Sequence, residues 1–198
     1  MNKARLVGSA KEIGAARWNA LANPQGLAEP HPFTTFEFFS ALEESGSASA
    51  KTGWQPAHLL MDDGLMPLYL KNHYYGEYVF DHAWAEALER AGGDYYPKLQ
   101  CAVPFTPVTG RRLLGNADAL LKTAAGVTRQ LNASSLHITF LTREEWQTAG
   151  EAGYLLRTGQ QFHWENSGYT SFDQFLGELS SAKRKNLRKE RQGVRDAG

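Results

Sequence analysis

Between Leu70 and Trp84 the chain reads LKNHYYGEYVFDHAW. It brings Lys71, His73, Tyr74, Glu77, Tyr78, Asp81, His82 and Trp84 into one short stretch. Aromatic rings interleaved with titratable groups are how a polar cleft is written. Gly76 marks a tight turn before Glu77, which would aim that carboxylate. A carboxylate aimed into such a cleft could act as a general base or hold a substrate amine, with neighbouring cations gripping an anionic group. Glu77 and Asp81 are the candidate catalytic carboxylates. Lys71, Tyr74, Tyr96 and Lys98 are candidate substrate contacts. The plainer alternative is a half-buried strand with Glu77 in water, and for Lys98 a charge that keeps an edge strand from aggregating.

A second stretch, YYPKLQCAVPFTPVTGRRLL from Tyr95 to Leu114, holds Pro97, Pro104 and Pro107 in an apolar run. Proline cannot donate to a strand ladder, so the stretch is an edge or a shaped loop. Stiffened by the prolines and turned at Gly110, it would hold Arg111 and Arg112 as a cationic rim for an anionic substrate group. The alternative is a solvated arginine pair on a prolyl edge. RLLGNA (Arg112–Ala117) precedes a helix whose first amides and dipole would favour an anion, making Gly115 and Ala117 candidate cofactor-binding positions; so short a pattern also arises by chance. The six histidines show no metal-ligand spacing. Asp81-His82 with Ser134-Ser135 lacks a nucleophile elbow, so a hydrolase triad is set aside.

These residues need elements to hold them. Ser9/Glu12, Thr34/Glu37, Thr142/Glu145 and Ser171/Gln174 have capping-box spacing and predict four helix starts. Asp63-Gly64 between apolar runs predicts a hairpin turn. LHITFL reads as a buried strand, and YLLRTGQQFHWE as a longer one with a bulge at Gly159. SGSASAKTG reads as a flexible joint. Strands alternating with helices make the chain α/β, a mixed sheet flanked by helices.

Across its 198 residues, 21 Lys and Arg balance 21 Asp and Glu. The distribution is uneven. From Lys183 onward seven cations, Lys183, Arg184, Lys185, Arg188, Lys189, Arg191 and Arg195, face only Glu190 and Asp196. That cationic helix, led by Lys183, Arg184, Arg188, Lys189 and Arg191, is a candidate anion-binding surface or a solvated connector docking on the acidic remainder. Phe172, Phe175, Leu176, Leu179, Leu187 and Val194 would form one apolar stripe along it. One cysteine excludes an internal disulfide, and the N-terminal residues contain no apolar signal core. Together with the lack of a membrane-length apolar run, this predicts a cytoplasmic protein.

Five blocks in order, PLYLKNHYYGEYVFDHAW, YYPKLQCAVPFTPVTGRRLL, SSLHITF, RTGQQFHWENSGYTSFDQFL and SSAKRKNLRKERQGV, resemble the FemAB-like family of bacterial proteins. That family is related to peptidoglycan bridge-forming aminoacyltransferases and is acetyltransferase (GNAT)-like. The chain departs from it in the short DDGLM and in Arg111, where proline is usual. The resemblance implies an acetyltransferase-like first lobe over residues 1–170 and a basic helix over 171–198 leading to a second lobe beyond this chain. It implies an acyl- or aminoacyltransferase acting on an amine acceptor, with a cell-wall precursor as substrate, acetyl-CoA or aminoacyl-tRNA as donor, and tRNA or a lipid-linked precursor as partner. Two other classes stay open: a free-standing acetyl-CoA-dependent N-acetyltransferase, and a non-catalytic anion- or RNA-binding module.

Overall fold

The computed structural model describes residues 3–25 and 30–198. The chain divides into two compact units, Met1–Leu156 and Arg157–Gly198.

In the first unit β1 (Arg5–Val7) precedes three helices, α1 (Ala10–Ile13), α2 (Ala15–Ala22) and α3 (Phe36–Glu44). Then come β2 (Trp54–Pro56), β3 (His58–Met61), β4 (Gly64–Met66), β5 (Leu68–Lys71), α4 (His82–Arg90), β6 (Lys98–Cys101) and β7 (Leu114–Gly115). The unit closes with α5 (Ala117–Gln130), β8 (Leu136–Ile138) and α6 (Arg143–Glu151). The fold is α/β with mixed strands flanked by helices, but the strands form two sheets where the sequence predicted one. One is antiparallel in the order β1-β3-β4-β7. The other, β2-β5-β6-β8, is mixed, with β6 and β8 parallel.

A single hairpin feeds both sheets. Its register is constant from Trp54↔Lys71 through Leu59↔Met66 to Met61↔Gly64. Pro67 has no N–H to give to the ladder, so the pairing breaks there. The His58 ring takes the Leu68 N–H instead, at 3.2 Å. Beyond the break β3 and β4 belong to the first sheet, β2 and β5 to the second. The turn falls on Asp62-Asp63, one residue ahead of the predicted pair.

Strand alternation divides the core. Leu60 and Leu65 pack with Trp18 of α2 and Phe39 of α3, whereas Leu59 and Met66 pack with Leu120, Leu121 and Ala124 of α5. Three predicted caps form: Ser9, Thr142 and Ser171 accept the N–H of Glu12, Glu145 and Gln174. The fourth moves by one residue. Thr35 caps α3, while the Thr34 hydroxyl donates to the His31 carbonyl inside the 3-10 turn Pro32–Thr34. Residues 45–53 are no loose joint. Ala48 is buried, its N–H reaches Leu42 O at 2.9 Å, and the Thr52 hydroxyl donates to Ser47 O at 2.8 Å.

YLLRTGQQFHWE is not a strand. Residues 155–166 have no regular structure, and Leu155 and Phe162 are 99% and 91% exposed. Apolar side chains alone do not make a strand; it needs a neighbouring strand to take its backbone N–H and C=O groups, and none of the described strands is laddered to it. With no ladder there is no bulge at Gly159.

In the second unit the predicted continuous helix is two, α7 (Phe172–Gly177) and α8 (Ser181–Asp196). Arg184 donates to the Gly177 carbonyl at 3.2 Å, and the Arg191 guanidinium lies over the Phe172 ring, 4.2 Å from its centroid. The break divides the predicted stripe: Leu176 is buried, but Val194 is exposed.

Candidate active site

The second sheet has two chemically different faces, set by register. Leu68, Leu99, Cys101, Leu136 and Ile138 lie in the α5 core. The alternate positions carry Trp54 and Pro56 on β2, Tyr69 and Lys71 on β5, Lys98 and Gln100 on β6, and His137 on β8. Lys71 pairs with Lys98 across the strands, and Gln100 with His137. The polar groups are thus concentrated on one face of the sheet.

The loop after β5 covers that face with acids. Lys98 Nζ donates to Glu77 Oε2 at 2.7 Å and to Asp81 Oδ2 at 3.0 Å, and all three side chains are buried. Gly76, at φ 80°, makes the turn that delivers Glu77. A Cβ there would sit 2.6 Å from the Phe105 ring, so the close approach requires glycine. Asp81 occupies the N-cap of α4. Its carbonyl takes the Trp84 and Ala85 N–H groups, while its carboxylate makes no cap bond and faces Lys98. His137 Nδ1 lies 3.3 Å from Asp81 Oδ2, with the ring 24% exposed.

Lys71 is buried beside this group. Its ammonium stands 3.7 Å from the Trp54 ring centroid and donates to Tyr75 O at 3.1 Å. Burial pushes the Lys71 pKa down to about 7; Glu77 opposes the shift and Lys98 adds to it. Burial raises the Glu77 carboxyl, against the pull of Lys98 and Lys71. Glu77 Oε1 is buried, and among the described residues it has no hydrogen-bond partner. Tyr96 is pushed up to about 12 by burial and by the charges of Glu77 and Asp81. Lys98 Nζ is 5.4 and 5.8 Å from the Tyr95 and Tyr96 ring centroids, and Tyr74 packs edge-on against His82 at 4.2 Å.

Lys71, Glu77, Asp81 and Lys98, singled out from two separate stretches, therefore meet. A family model described as FemAB-like, peptidoglycan biosynthesis/recognition, matches residues 9–198. The chain belongs to the FemAB-like family. No curated protein and no solved structure gave a match. The family is one of peptidoglycan biosynthesis and recognition and is acetyltransferase-like, in keeping with the α/β architecture.

Other expected contacts of this FemAB-like chain lie elsewhere. Arg111 and Arg112 are not a rim. Arg112 is 1% exposed and its guanidinium is taken up by carbonyls: Nε to Thr139 O at 3.0 Å, Nη2 to Val108 O at 2.7 Å and Nη1 to Arg111 O at 3.2 Å. The Glu145 carboxylate receives the Arg112 and Leu113 N–H groups at 2.8–3.0 Å. Arg111 donates to Leu21 O and Ala22 O, closing the end of α2. A loop without a ladder leaves bare carbonyls, and a five-donor fork inside the protein satisfies them.

Gly115 and Ala117 do not make a pyrophosphate cradle. Gly115 pairs with Gly64 in the sheet, and the Asn116 N–H goes to Asp63 O at 3.0 Å. Asn116 Nδ2 donates to the Asp63 carboxylate at 3.0 Å, and its Oδ1 caps α5 at Ala119 N–H. The start of that helix is closed by the chain's own hairpin, with a carboxylate where an anion would sit; the residues do not fit coenzyme A there. Gly115 stands at φ 114°, and an added Cβ would lie 2.2 Å from Asp63 O. Gly115→Ala is expected to cost at least about 2 kcal/mol, read from the urea midpoint.

Of the basic set, Lys183 and Lys189 are exposed, while Arg184 and Arg191 turn onto α7 and Arg188 lies 3.5 Å from the Asp173 carboxylate. Among the described residues no three His, Cys, Asp or Glu side chains are grouped to hold a metal, and no helix is long and apolar enough to cross a membrane. His137 was missed from sequence. Its signal was positional, since only the β6–β8 register sets it beside Gln100 on the Lys98 face.

Proposed function

We propose that this chain carries the acceptor side of an acyl or aminoacyl transfer onto an amine of a peptidoglycan precursor. Family membership supports the substrate class. The observation that carries the chemistry is the buried Lys98–Glu77–Asp81 group, with Glu77 Oε1 unpartnered inside it. A buried carboxylate oxygen needs a donor, and the N–H of an amine acceptor is one. Lys98 keeps both acids in place while one oxygen remains for the substrate. Lys71, Tyr74 and Tyr96 border the group, and aminoacyl-tRNA or acetyl-CoA is the donor class. In this reading residues 1–170 form the acetyltransferase-like lobe and residues 171–198 the basic helix, which offers a surface for an anionic partner, tRNA or a lipid-linked precursor.

The test is transfer to the lysine amine of a muramyl pentapeptide, with aminoacyl-tRNA and acetyl-CoA in parallel and product followed by mass spectrometry. Glu77→Gln is expected to lower turnover per folded molecule about 10²-fold or more, with a smaller stability loss than removal of Lys98, because Asp81 still pairs the ammonium. Lost stability with unchanged activity per folded molecule would show Glu77 to be structural and defeat the proposal.

A further inference from the structure

Amine attack needs a group that can take a proton at the surface where the amine arrives. Most of the buried cluster cannot serve. Asp81 is bound to Lys98 and buried, and so is Glu77 Oε2, while Glu77 Oε1 is the oxygen that holds the amine by accepting one of its N–H groups. Lys71 is tucked under Trp54 with its ammonium on Tyr75 O. Tyr96, pushed up to about 12, holds its proton at neutral pH. His137 both touches the buried Asp81 carboxylate and reaches solvent: its Nδ1 is 3.3 Å from Asp81 Oδ2, and its ring is 24% exposed. The Tyr95 ring meets it edge-on, centroids 6.0 Å apart. A carboxylate at Nδ1 fixes the tautomer and orientation of an imidazole and stabilises its cation, which leaves Nε2 as the basic atom.

We propose that His137 is the proton acceptor for the incoming amine, with Asp81 a positioning residue held by Lys98. This inference rests on the transfer reading above. In the step, the amine nitrogen attacks the carbonyl carbon of an activated acyl ester or thioester. The new N–C bond forms and the bond from that carbon to the ester oxygen or thioester sulfur breaks, the electron pair leaving with that atom. The proton from the amine goes to His137 Nε2, and the imidazolium is held by Asp81. It returns that proton to the leaving oxygen or sulfur.

The experiment uses the full chain in the muramyl pentapeptide assay. His137→Gln is expected to lower kcat about 10²-fold with KM within threefold and an unaltered melting temperature. His137→Gly is expected to regain activity on adding free imidazole, which a merely structural role would not allow. Asp81→Asn should lower kcat even with His137 present. Transfer that persists in His137→Gln, or a His137→Gly variant that imidazole does not restore, overturns the role of His137 and leaves the transfer reading standing. No transfer by the unaltered chain with either donor removes both.

Discussion

Replacing Lys98 with methionine is expected to destabilise the protein by about 3–5 kcal/mol, the usual scale for removing one member of a buried ion pair. Lys98 is the cation between Glu77 Oε2 and Asp81 Oδ2, and none of the three side chains reaches solvent. Without it two carboxylates are left buried and close together. Methionine fills similar volume, so the loss reports charge more than packing. The triple change Lys98→Met, Glu77→Gln, Asp81→Asn is expected to recover most of it, because no unpaired charge remains. The pH dependence follows from Glu77. Burial raises its carboxyl above the ordinary value, so the folded state keeps a proton that the unfolded chain has released. Stability from this group is present at acid pH and lost as pH rises. Lys98 opposes that rise, so the deficit of Lys98→Met should widen from acid toward neutral pH. Urea unfolding at a series of pH values measures it; a deficit below 1 kcal/mol at neutral pH would mean that the pair is solvated in solution.

Arg112→Ala is expected to cost a further large amount, about 3–5 kcal/mol, and to act on stability, not on substrate affinity. The side chain serves Thr139, Val108 and Arg111 carbonyls at once, and its backbone N–H is held by Glu145. Truncation leaves a void and bare carbonyls, and removes the positive charge that moderates the burial-raised Glu145 carboxyl. Arg112→Lys should restore little, since one ammonium on a flexible stem cannot reproduce a planar fork aimed in three directions. Denaturation of both variants gives the numbers. Wild-type stability in Arg112→Ala would show the guanidinium to be free of these carbonyls in solution.

Local pattern made the α/β class, three helix caps and the hairpin legible, because each depends on residues only a few positions apart. Ser9, Thr142 and Ser171 reach backbone N–H groups within one turn, so spacing is enough to find them. Thr34 and Thr35 are adjacent hydroxyls; the 3-10 turn ahead of α3 decided which one caps. YLLRTGQQFHWE (Tyr154–Glu165) failed as a strand because strands are completed by a neighbour, which local composition does not specify.

Residue types and their order were enough to name the groups available for chemistry: two acids after Gly76, a lysine on β5, and a lysine within the prolyl stretch. Tertiary structure decided their company. Register placed Lys71, Lys98, Gln100 and His137 on one face of the second sheet, bringing in a histidine that no motif marks. The same folding withdrew Arg111, Arg112 and Gly115, which looked equally available on the page. The loop of the two arginines is short of ladder partners, so backbone carbonyls claimed their guanidinium groups, while Gly115 was taken into the ladder against Gly64 under the turn at Asp63. The physical reason is common to all of these positions. A side chain's type is a local property, but a buried donor or acceptor bonds whatever the fold brings within about 3 Å, and that distance is set by residues far away in the chain.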